Sequence, residues 1–211
     1  MDPKYRMIEE IKNKYRFSYS LVFEAMLKVP REEFVLPECW GLAYEDSALS
    51  IGYGQTISQP YTVAFMTHLL GLMGNESVLE IGTGSGYQAA VLSLLAKKVY
   101  TIERIKDLGK EAARRLRHLG FTNVHVKIGS GEEGWRQKAP FDAILITAGI
   151  GNGVPDELFR ELRNGGVLVA PIGEGEDKVM TRFRKSFSGQ AKFKKEEFGV
   201  FRFVPFVEKA S

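Results

Sequence analysis

The chain has 211 residues, a length that suits one domain with a full hydrophobic core. Of its residues 44% are hydrophobic and 26% are charged, as in ordinary water-soluble globular proteins. The net charge of +3 is too small to argue for a nucleic-acid partner, and the single cysteine, Cys39, excludes an internal disulfide. No segment approaches the roughly 18 apolar residues of a membrane span. We expect a cytoplasmic protein that acts as a monomer, without a membrane or nucleic-acid partner.

The first 59 residues predict two helices followed by a long cover. Apolar residues recur at helical spacing over residues 4–14 and 18–28, and Pro30 ends the second helix. Residues 36–59 have no clear period, but their many aromatic and apolar side chains argue against disorder. We expect this stretch to be an ordered cover over a functional site. Pro60 then fits the first position of a helix that reaches about Leu72, with Gly74 just past its end.

The centre of the chain alternates strands with helices. Apolar runs predict strands over 78–81, 98–102, 124–128, 141–146 and 167–172, separated by helices over 87–95, 107–119 and 155–162. This alternation predicts a doubly wound, mostly parallel sheet. Beyond Gly173 apolar and charged residues alternate over 179–184 and 200–207 around a turn at Ser188-Gly189, which predicts an added antiparallel hairpin. We therefore expect one domain: an N-terminal part (1–59), a core (60–172) and C-terminal strands (173–211).

The stretch from Val78 to Gly86 carries the strongest chemical signal. It joins a strand to a helix through three glycines, and the N-terminus of that helix presents free N–H groups to any ligand. The next strand ends at Glu103, 21 residues after Gly82, close to the spacing at which a carboxylate accepts hydrogen bonds from ribose hydroxyls. A plain strand-to-helix connection and a solvated strand end are the structural alternatives.

The glycine spacing distinguishes between nucleotide ligands. Dinucleotide sites favour G-x-G-x-x-G, whereas this chain has Glu80-x-Gly82-x-Gly84-x-Gly86, with Tyr87 where a late glycine would fall. This pattern resembles the first motif of the S-adenosylmethionine methyltransferases, whose ligand is adenosine joined to an amino acid. The glycine turn, Glu103, Gly129–Gly131 and Thr147 all follow predicted strands, so we expect them to meet in one crevice.

Longer motifs indicate a particular family. Residues 51–60, Ile-Gly-Tyr-Gly-Gln-Thr-Ile-Ser-Gln-Pro, are similar to a signature of the protein-L-isoaspartate (D-aspartate) O-methyltransferases, as are Ala43–Asp46 and Ala139–Ile144. The resemblance extends from Val29 to Phe206 and implies a Rossmann-like S-adenosylmethionine methyltransferase fold. It also implies methyl transfer from S-adenosyl-L-methionine to the α-carboxylate of L-isoaspartyl residues in damaged proteins and peptides, with S-adenosyl-L-homocysteine as product. The ester then closes unaided to a succinimide, which begins repair.

The resemblance implies which residues form the site. A serine directly before a helix is typical of a cap, but the resemblance places Ser58 at the methyl-transfer site, with Thr56 and Ile57 binding substrate beside it. Gly82, Thr83, Gly84, Ser85 and Gln88 would line the methionine and sulfonium, Glu103 would hold the ribose, and Arg104, Gly129, Ser130 and Gly131 would surround the adenine. The family usually has Asp where this chain has Ser130, so we expect cofactor binding to be weaker by about 1 kcal/mol.

The implied reaction needs neither a metal nor a general base, because a carboxylate nucleophile is already ionised at pH 7. Three alternatives remain open. One is a methyltransferase for another substrate, although residues 147–150 lack the Asn/Asp-Pro-Pro-aromatic run of base-amino methylases. Another is a family member that binds the cofactor or an isoaspartyl peptide with little turnover. The serine at position 130, where the family usually has Asp, suggests this alternative. The third, a nicotinamide oxidoreductase, would need a different glycine spacing.

Overall fold

The computed structural model describes residues 1–151, 153–187 and 193–206. Its helices are α1 Pro3–Tyr15, α2 Ser20–Lys28, α3 Pro60–Leu70, α4 Tyr87–Ser93, α5 Lys106–His118 and α6 Asp156–Glu161. Its strands are β1 Leu49–Gly52, β2 Gln55–Ile57, β3 Ser77–Ile81, β4 Lys98–Glu103, β5 Val124–Ile128, β6 Phe141–Ile146, β7 Leu162–Ile172, β8 Asp177–Lys185 and β9 Phe193–Arg202. Short 3-10 turns cover Arg31–Phe34, Pro37–Leu42, Gly131–Glu133 and Arg136–Lys138. None of the described helices combines the length and apolar character needed to cross a bilayer.

Seven strands form one sheet in the order β5-β4-β3-β6-β7-β8-β9. The first five are parallel to their neighbours, whereas β7, β8 and β9 pair antiparallel. The prediction of a doubly wound, mostly parallel sheet with a C-terminal antiparallel hairpin is therefore confirmed. Because the strand order reverses between β3 and β6, their carboxyl ends border the crevice in which such sheets bind ligands.

The sheet separates two hydrophobic clusters. Successive residues of β6 alternate between them: Ala143 and Leu145 pack with α1 to α4, whereas Ile144 and Ile146 pack with Leu158 of α6. Side chains of a strand alternate between faces, so the clusters lie on opposite sides of the sheet. This double burial explains why β6 is almost continuously apolar in sequence.

The cover (residues 36–59) has more regular structure than we predict from the sequence. It contains the 3-10 turn Pro37–Leu42 and an antiparallel hairpin in which Leu49 of β1 pairs with Ile57 of β2. The hairpin turns through Tyr53 and Gly54, both with positive φ (54° and 68°), the backbone that favours tight hairpins. Strands of four and three residues are too short to show a period in sequence.

Two boundaries around helices differ from the prediction. Helix α3 ends at Leu70, because Gly71 adopts a left-handed φ of 65° and donates its N–H to the carbonyl of His68. The predicted end near Leu72 and Gly74 is therefore wrong by about half a turn. Strand β7 begins directly after α6, at Leu162 rather than Val167, with Gly165 at φ 76° inside it.

The final strand also differs from the prediction. Strand β9 runs from Phe193 to Arg202, whereas alternation predicts residues 200–207. Charged residues in the first half of β9 pair with residues of β8, and Glu196 of β9 forms an ion pair with Arg182 of β8 at 2.8 Å. Because of these charged residues, the first half of β9 does not show the alternation of apolar and polar side chains that predicts a strand. The predicted turn at Ser188-Gly189 and the end of the predicted strand at Val207 lie outside the described residues.

Candidate active site

A crevice opens at the carboxyl ends of β3, β4 and β6. Its walls also include the β2 end of the cover and the segment that follows β9. The residues that line it are Gln55, Thr56, Ile81, Gly82, Gly84, Ile102, Glu103, Arg104, Ile105, Gly131, Thr147, Ala148, Val204, Pro205 and Phe206. No sequence motif predicts that residues 204–206 close the crevice.

The glycine turn between β3 and α4 forms one wall of the crevice. Gly82, Gly84 and Gly86 all have positive φ, of 99°, 53° and 94°. The N–H of Gly82 donates to the carbonyl of Ile102 at 2.9 Å, which keeps the turn against the end of β4. Glycine is needed at position 82 because a β-carbon there would collide with the hydroxyl oxygen of Thr147.

Glu103 is held rigidly where β4 ends. One carboxylate oxygen accepts the N–H of Gly84 and the other accepts the N–H of Ile105, both at 2.9 Å. The side chain is buried but lines the crevice. A carboxylate has about four lone-pair positions, so each oxygen can accept one further hydrogen bond. Two neighbouring hydroxyls, as on a ribose, fit this acceptor pair.

Part of the crevice lining is apolar, and we call this part the slot. Ile105, Pro205 and Phe206 line it, and Gly131 leaves room there, because a β-carbon on Gly131 would press on Ile81 and Phe206. A flat aromatic ring fits between such apolar walls. The crevice thus combines a slot for a base with an acceptor pair for a ribose, which is the combination that adenosine requires.

The Ser58 compartment, a smaller space, adjoins the crevice. It is lined by Thr56, Ile57, Ser58, Val63, Gly82, Thr83, Gly84, Ser85, Tyr87, Gln88 and Thr147. The turn before Pro60 therefore lies against the glycine turn. Gln59 rather than Ser58 is the N-cap of α3, and its side chain makes no capping hydrogen bond. The half-buried Ser58 hydroxyl is not used as the cap that its position in the sequence suggests.

A wider depression, the outer compartment, lies on the other side of Thr56 and Thr147. Its lining includes Tyr15, Asp46, Ser58, Gln59, Tyr61 and residues 199–204. The Asp46 carboxylate accepts hydrogen bonds from the Tyr15 hydroxyl (2.7 Å), the Gln59 amide (2.9 Å) and the Tyr61 N–H (3.0 Å), so this part of the wall is firmly held. Because its residues come from distant segments, no motif in the sequence predicts this compartment.

Thr56 and Thr147 line all three spaces. The crevice, the Ser58 compartment and the outer compartment therefore border one another at these two threonines. A small molecule in the crevice and a larger one in the outer compartment would approach each other beside Ser58. This is the arrangement that a group transfer between two substrates requires.

Most predicted cofactor residues line these spaces. Gly82, Gly84, Glu103, Arg104 and Gly131 line the crevice, and Thr83, Ser85 and Gln88 line the Ser58 compartment. Gln88 is buried and donates to the hydroxyl of Thr67 at 2.9 Å. Gly129 and Ser130 are not among the described residues that line the crevice, although the N–H of Gly129 donates to the carbonyl of Glu103 at 2.9 Å. Their proposed contact with adenine stays a prediction.

A neutral carboxylic acid lies beneath the glycine turn. Glu80 is fully buried, and this burial raises its pKa to about 8. The Thr101 hydroxyl lies 2.5 Å from one of its oxygens and 2.7 Å from the hydroxyl of Thr83. Glu80 thus stays protonated at pH 7 and adds no negative charge below the crevice.

The described His, Cys, Asp and Glu side chains form no group suited to a metal ion.

Comparison with protein families gives one match over almost the whole chain. The model of the family described as protein-L-isoaspartate(D-aspartate) O-methyltransferase matches residues 2–211. A protein-L-isoaspartate O-methyltransferase from Dictyoglomus thermophilum is 48% identical over 202 residues, which cover 96% of this chain and 90% of the relative. One from Geobacter metallireducens is 55% identical over 168 residues, which cover 80% and 77%. These matches confirm the resemblance seen in the sequence motifs.

Solved structures agree with these matches. A protein-L-isoaspartate O-methyltransferase superposes with a TM-score of 0.83 at 29% identity, over 96% of this chain; the chain spans 65% of that longer protein. A Plasmodium falciparum β-aspartate methyltransferase in complex with S-adenosyl-L-homocysteine gives a TM-score of 0.82 over 96% of this chain and 97% of that one. At 21% identity the second likeness shows a shared fold.

Proposed function

The chain belongs to the protein-L-isoaspartate(D-aspartate) O-methyltransferase family, and we propose that it methylates the α-carboxylate of L-isoaspartyl residues in proteins and peptides. The methyl donor is S-adenosyl-L-methionine, and S-adenosyl-L-homocysteine is released. The observation that carries the proposal is that Thr56 and Thr147 line both the crevice, which we assign to the adenosine part of the cofactor, and the outer compartment, which we assign to the peptide. Ser58 lines both the outer compartment and the Ser58 compartment.

The residues of the crevice fit the cofactor. Glu103 offers two fixed acceptors for the ribose hydroxyls, and the slot beside Phe206 accepts the adenine. Gly82, Thr83, Gly84, Ser85 and Gln88 would surround the methionine part and the sulfonium. When bound, the cofactor supplies a methyl group whose carbon–sulfur bond breaks, with both electrons going to sulfur, as a carbon–oxygen bond forms to the acceptor.

The groups near Ser58 align the acceptor carboxylate with the methyl group. The acceptor carboxylate is ionised at neutral pH, so no residue has to remove a proton. We assign the Ser58 hydroxyl and the backbone N–H groups of Thr56–Ser58 to one carboxylate oxygen, which leaves the other oxygen directed at the methyl group. Alignment of two bound reactants can supply several kcal/mol of the barrier reduction. The walls of the Ser58 compartment also limit access of water.

A labelling experiment tests the activity. With S-adenosylmethionine labelled in its methyl group, we expect transfer to a peptide that contains L-isoaspartate and none to the same peptide with normal aspartate. Binding of S-adenosylhomocysteine by calorimetry without any transfer would favour a member that binds but does not turn over. Equal labelling of both peptides would contradict the proposed substrate, and tight NADH binding would favour an oxidoreductase.

We further propose that the chain acts as a monomer in the cytoplasm, as one domain, without a nucleic-acid partner. The low net charge and the single half-buried cysteine support this proposal. Light scattering after size-exclusion chromatography should give a mass near 23.7 kDa, with and without the cofactor. A mass of twice that value would contradict the monomer.

A further inference from the structure

Arg31 is a fully buried cation near the proposed site. It opens the 3-10 turn Arg31–Phe34, its relative exposure is 0%, and burial lowers its pKa. Transfer of a guanidinium from water into a protein interior costs several kcal/mol. An apolar side chain of similar length would fill the same volume without that cost. We therefore look for the role of the Arg31 charge in the groups that the guanidinium binds.

The hydrogen bonds of Arg31 go to backbone carbonyls rather than to a carboxylate. Its Nε donates to the carbonyl of Ala43 and one terminal nitrogen donates to the carbonyl of Ser58, both at 2.8 Å. The other terminal nitrogen makes no hydrogen bond within standard geometry to a described residue. Arg31 thus holds two points of the cover, Ala43 and Ser58, which are 12 and 27 residues away in sequence.

The guanidinium also contacts the opposite side of the site. Its carbon lies 4.7 Å from the centre of the Tyr87 ring, a cation–π distance. Tyr87 is buried and is the first residue of α4, directly after the glycine turn. One side chain therefore contacts both the Ser58 turn and the start of the helix that follows the glycine turn. These are two walls of the Ser58 compartment.

We propose that Arg31 is a positioning residue for methyl transfer: it fixes the separation between the Ser58 turn and the glycine turn. This inference rests on the proposed function, because it concerns the alignment of the same two substrates. The carbonyl of Ser58 accepts its hydrogen bond from Arg31, whereas the side chain of the neighbouring Gln59 is held separately by Asp46. A shift of about 1 Å at such a turn can cost roughly a hundredfold in rate.

Arg31→Met tests the proposal with an apolar side chain of similar length. We expect kcat for an isoaspartyl peptide to fall at least about tenfold, while the Kd for S-adenosylhomocysteine changes by less than roughly threefold. The matched control is Phe34→Leu, which alters packing against Tyr87 in the same 3-10 turn but leaves the bond to Ser58. This control should lower the melting temperature and leave kcat within roughly twofold.

Three results would overturn the proposal. They are a kcat for Arg31→Met within roughly threefold of the parent, an equal loss of kcat in Phe34→Leu, or a loss of cofactor affinity in parallel with kcat.

If Arg31→Met does not fold, Arg31→Lys tests the role of Arg31, because lysine keeps the charge but not the two-pronged geometry of the guanidinium. The kcat of Arg31→Lys should fall at least about fivefold. An unchanged kcat in Arg31→Lys would then refute the role. A parent protein that fails to methylate the peptide refutes the proposed function instead.

Discussion

The hydroxyl of Thr147 occupies the space that a β-carbon on Gly82 would need. Thr147 directly follows β6, and its Oγ1 lies 2.7 Å from the carbonyl oxygen of Gly82 and 2.9 Å from that of Ile81. Its N–H also donates to the carbonyl of Ile81 at 3.0 Å. The ends of β3 and β6 are thus joined where the three compartments meet, and this contact depends on the absence of a side chain at Gly82.

Gly82→Ala should abolish cofactor binding and destabilise the fold. Alanine would be strained at a φ of 99° and would also collide with Thr147, a combined cost of about 2–4 kcal/mol. The matched control is Gly120→Ala, at a φ of 83° with nothing within 4 Å of the added carbon, which should cost only about 1 kcal/mol. Urea unfolding and calorimetry with S-adenosylhomocysteine would measure both effects.

The collision itself can be separated from the backbone strain. In Gly82→Ala/Thr147→Ala the colliding oxygen is gone. We therefore expect the loss of unfolding free energy in the double variant to be about 1 kcal/mol smaller than the sum of the losses in the two single variants. Strictly additive changes in unfolding free energy would show that Thr147 does not restrict position 82.

Ser58→Ala should lower turnover with little change in cofactor affinity. The hydroxyl lies in the Ser58 compartment and does not serve as the N-cap of α3, so its loss should affect acceptor alignment rather than helix stability. We expect kcat to fall by about tenfold or more, with Kd for S-adenosylhomocysteine within roughly twofold. Ser50→Ala, an exposed hydroxyl in the paired strand β1, is the control and should leave kcat unchanged. Unchanged turnover in Ser58→Ala would remove Ser58 from the reaction.

Ser130→Asp should tighten cofactor binding. If the turn after β5 borders the adenine, a carboxylate there can accept a charge-assisted hydrogen bond from the adenine amino group, worth about 1 kcal/mol or roughly fivefold in Kd. Ser130→Ala, measured by the same calorimetry, should show no such gain. Weaker binding in Ser130→Asp would mean that the adenine lies elsewhere in the crevice.

Glu80→Gln should remove a pH dependence of stability. The pKa of Glu80 is about 8 in the folded protein against 4.5 for an ordinary glutamate, so between these values the unfolded chain releases a proton that the folded protein retains. Stability is therefore lost as pH rises through this window, by an amount on the order of 5 kcal/mol. Glutamine is neutral throughout, and the variant should lack this loss.

Urea unfolding at several pH values between 5 and 8 would measure the difference between parent and variant. The free energy of unfolding of Glu80→Gln should exceed that of the parent by a margin that grows with pH. Glu24→Gln, at an exposed position of α2, should follow the parent curve. Parallel curves for the parent and Glu80→Gln would show that the acid ionises in the folded state without cost.

Local patterns in the sequence predict the order of the core elements, and they place most of the candidate cofactor residues at the ends of strands. Both follow from local properties: the burial of β6 on two faces requires a continuous apolar run, and the turn after β3 requires glycines at positive φ. Glu103 could be identified because the spacing between successive parallel strands sets its distance from Gly82. Short or charged elements, such as β1, β2 and the first half of β9, lack such a local pattern.

The contacts that complete the site come from segments far apart in the sequence. The contacts of Arg31 with Ala43, Ser58 and Tyr87, and the outer compartment beside Asp46, join segments that share no motif and no period. Their positions depend on how the N-terminal helices and the C-terminal strands pack against the core, and packing is a property of the whole chain. Local patterns place a residue on a strand or a turn, whereas the residue it meets across the site is set by the fold.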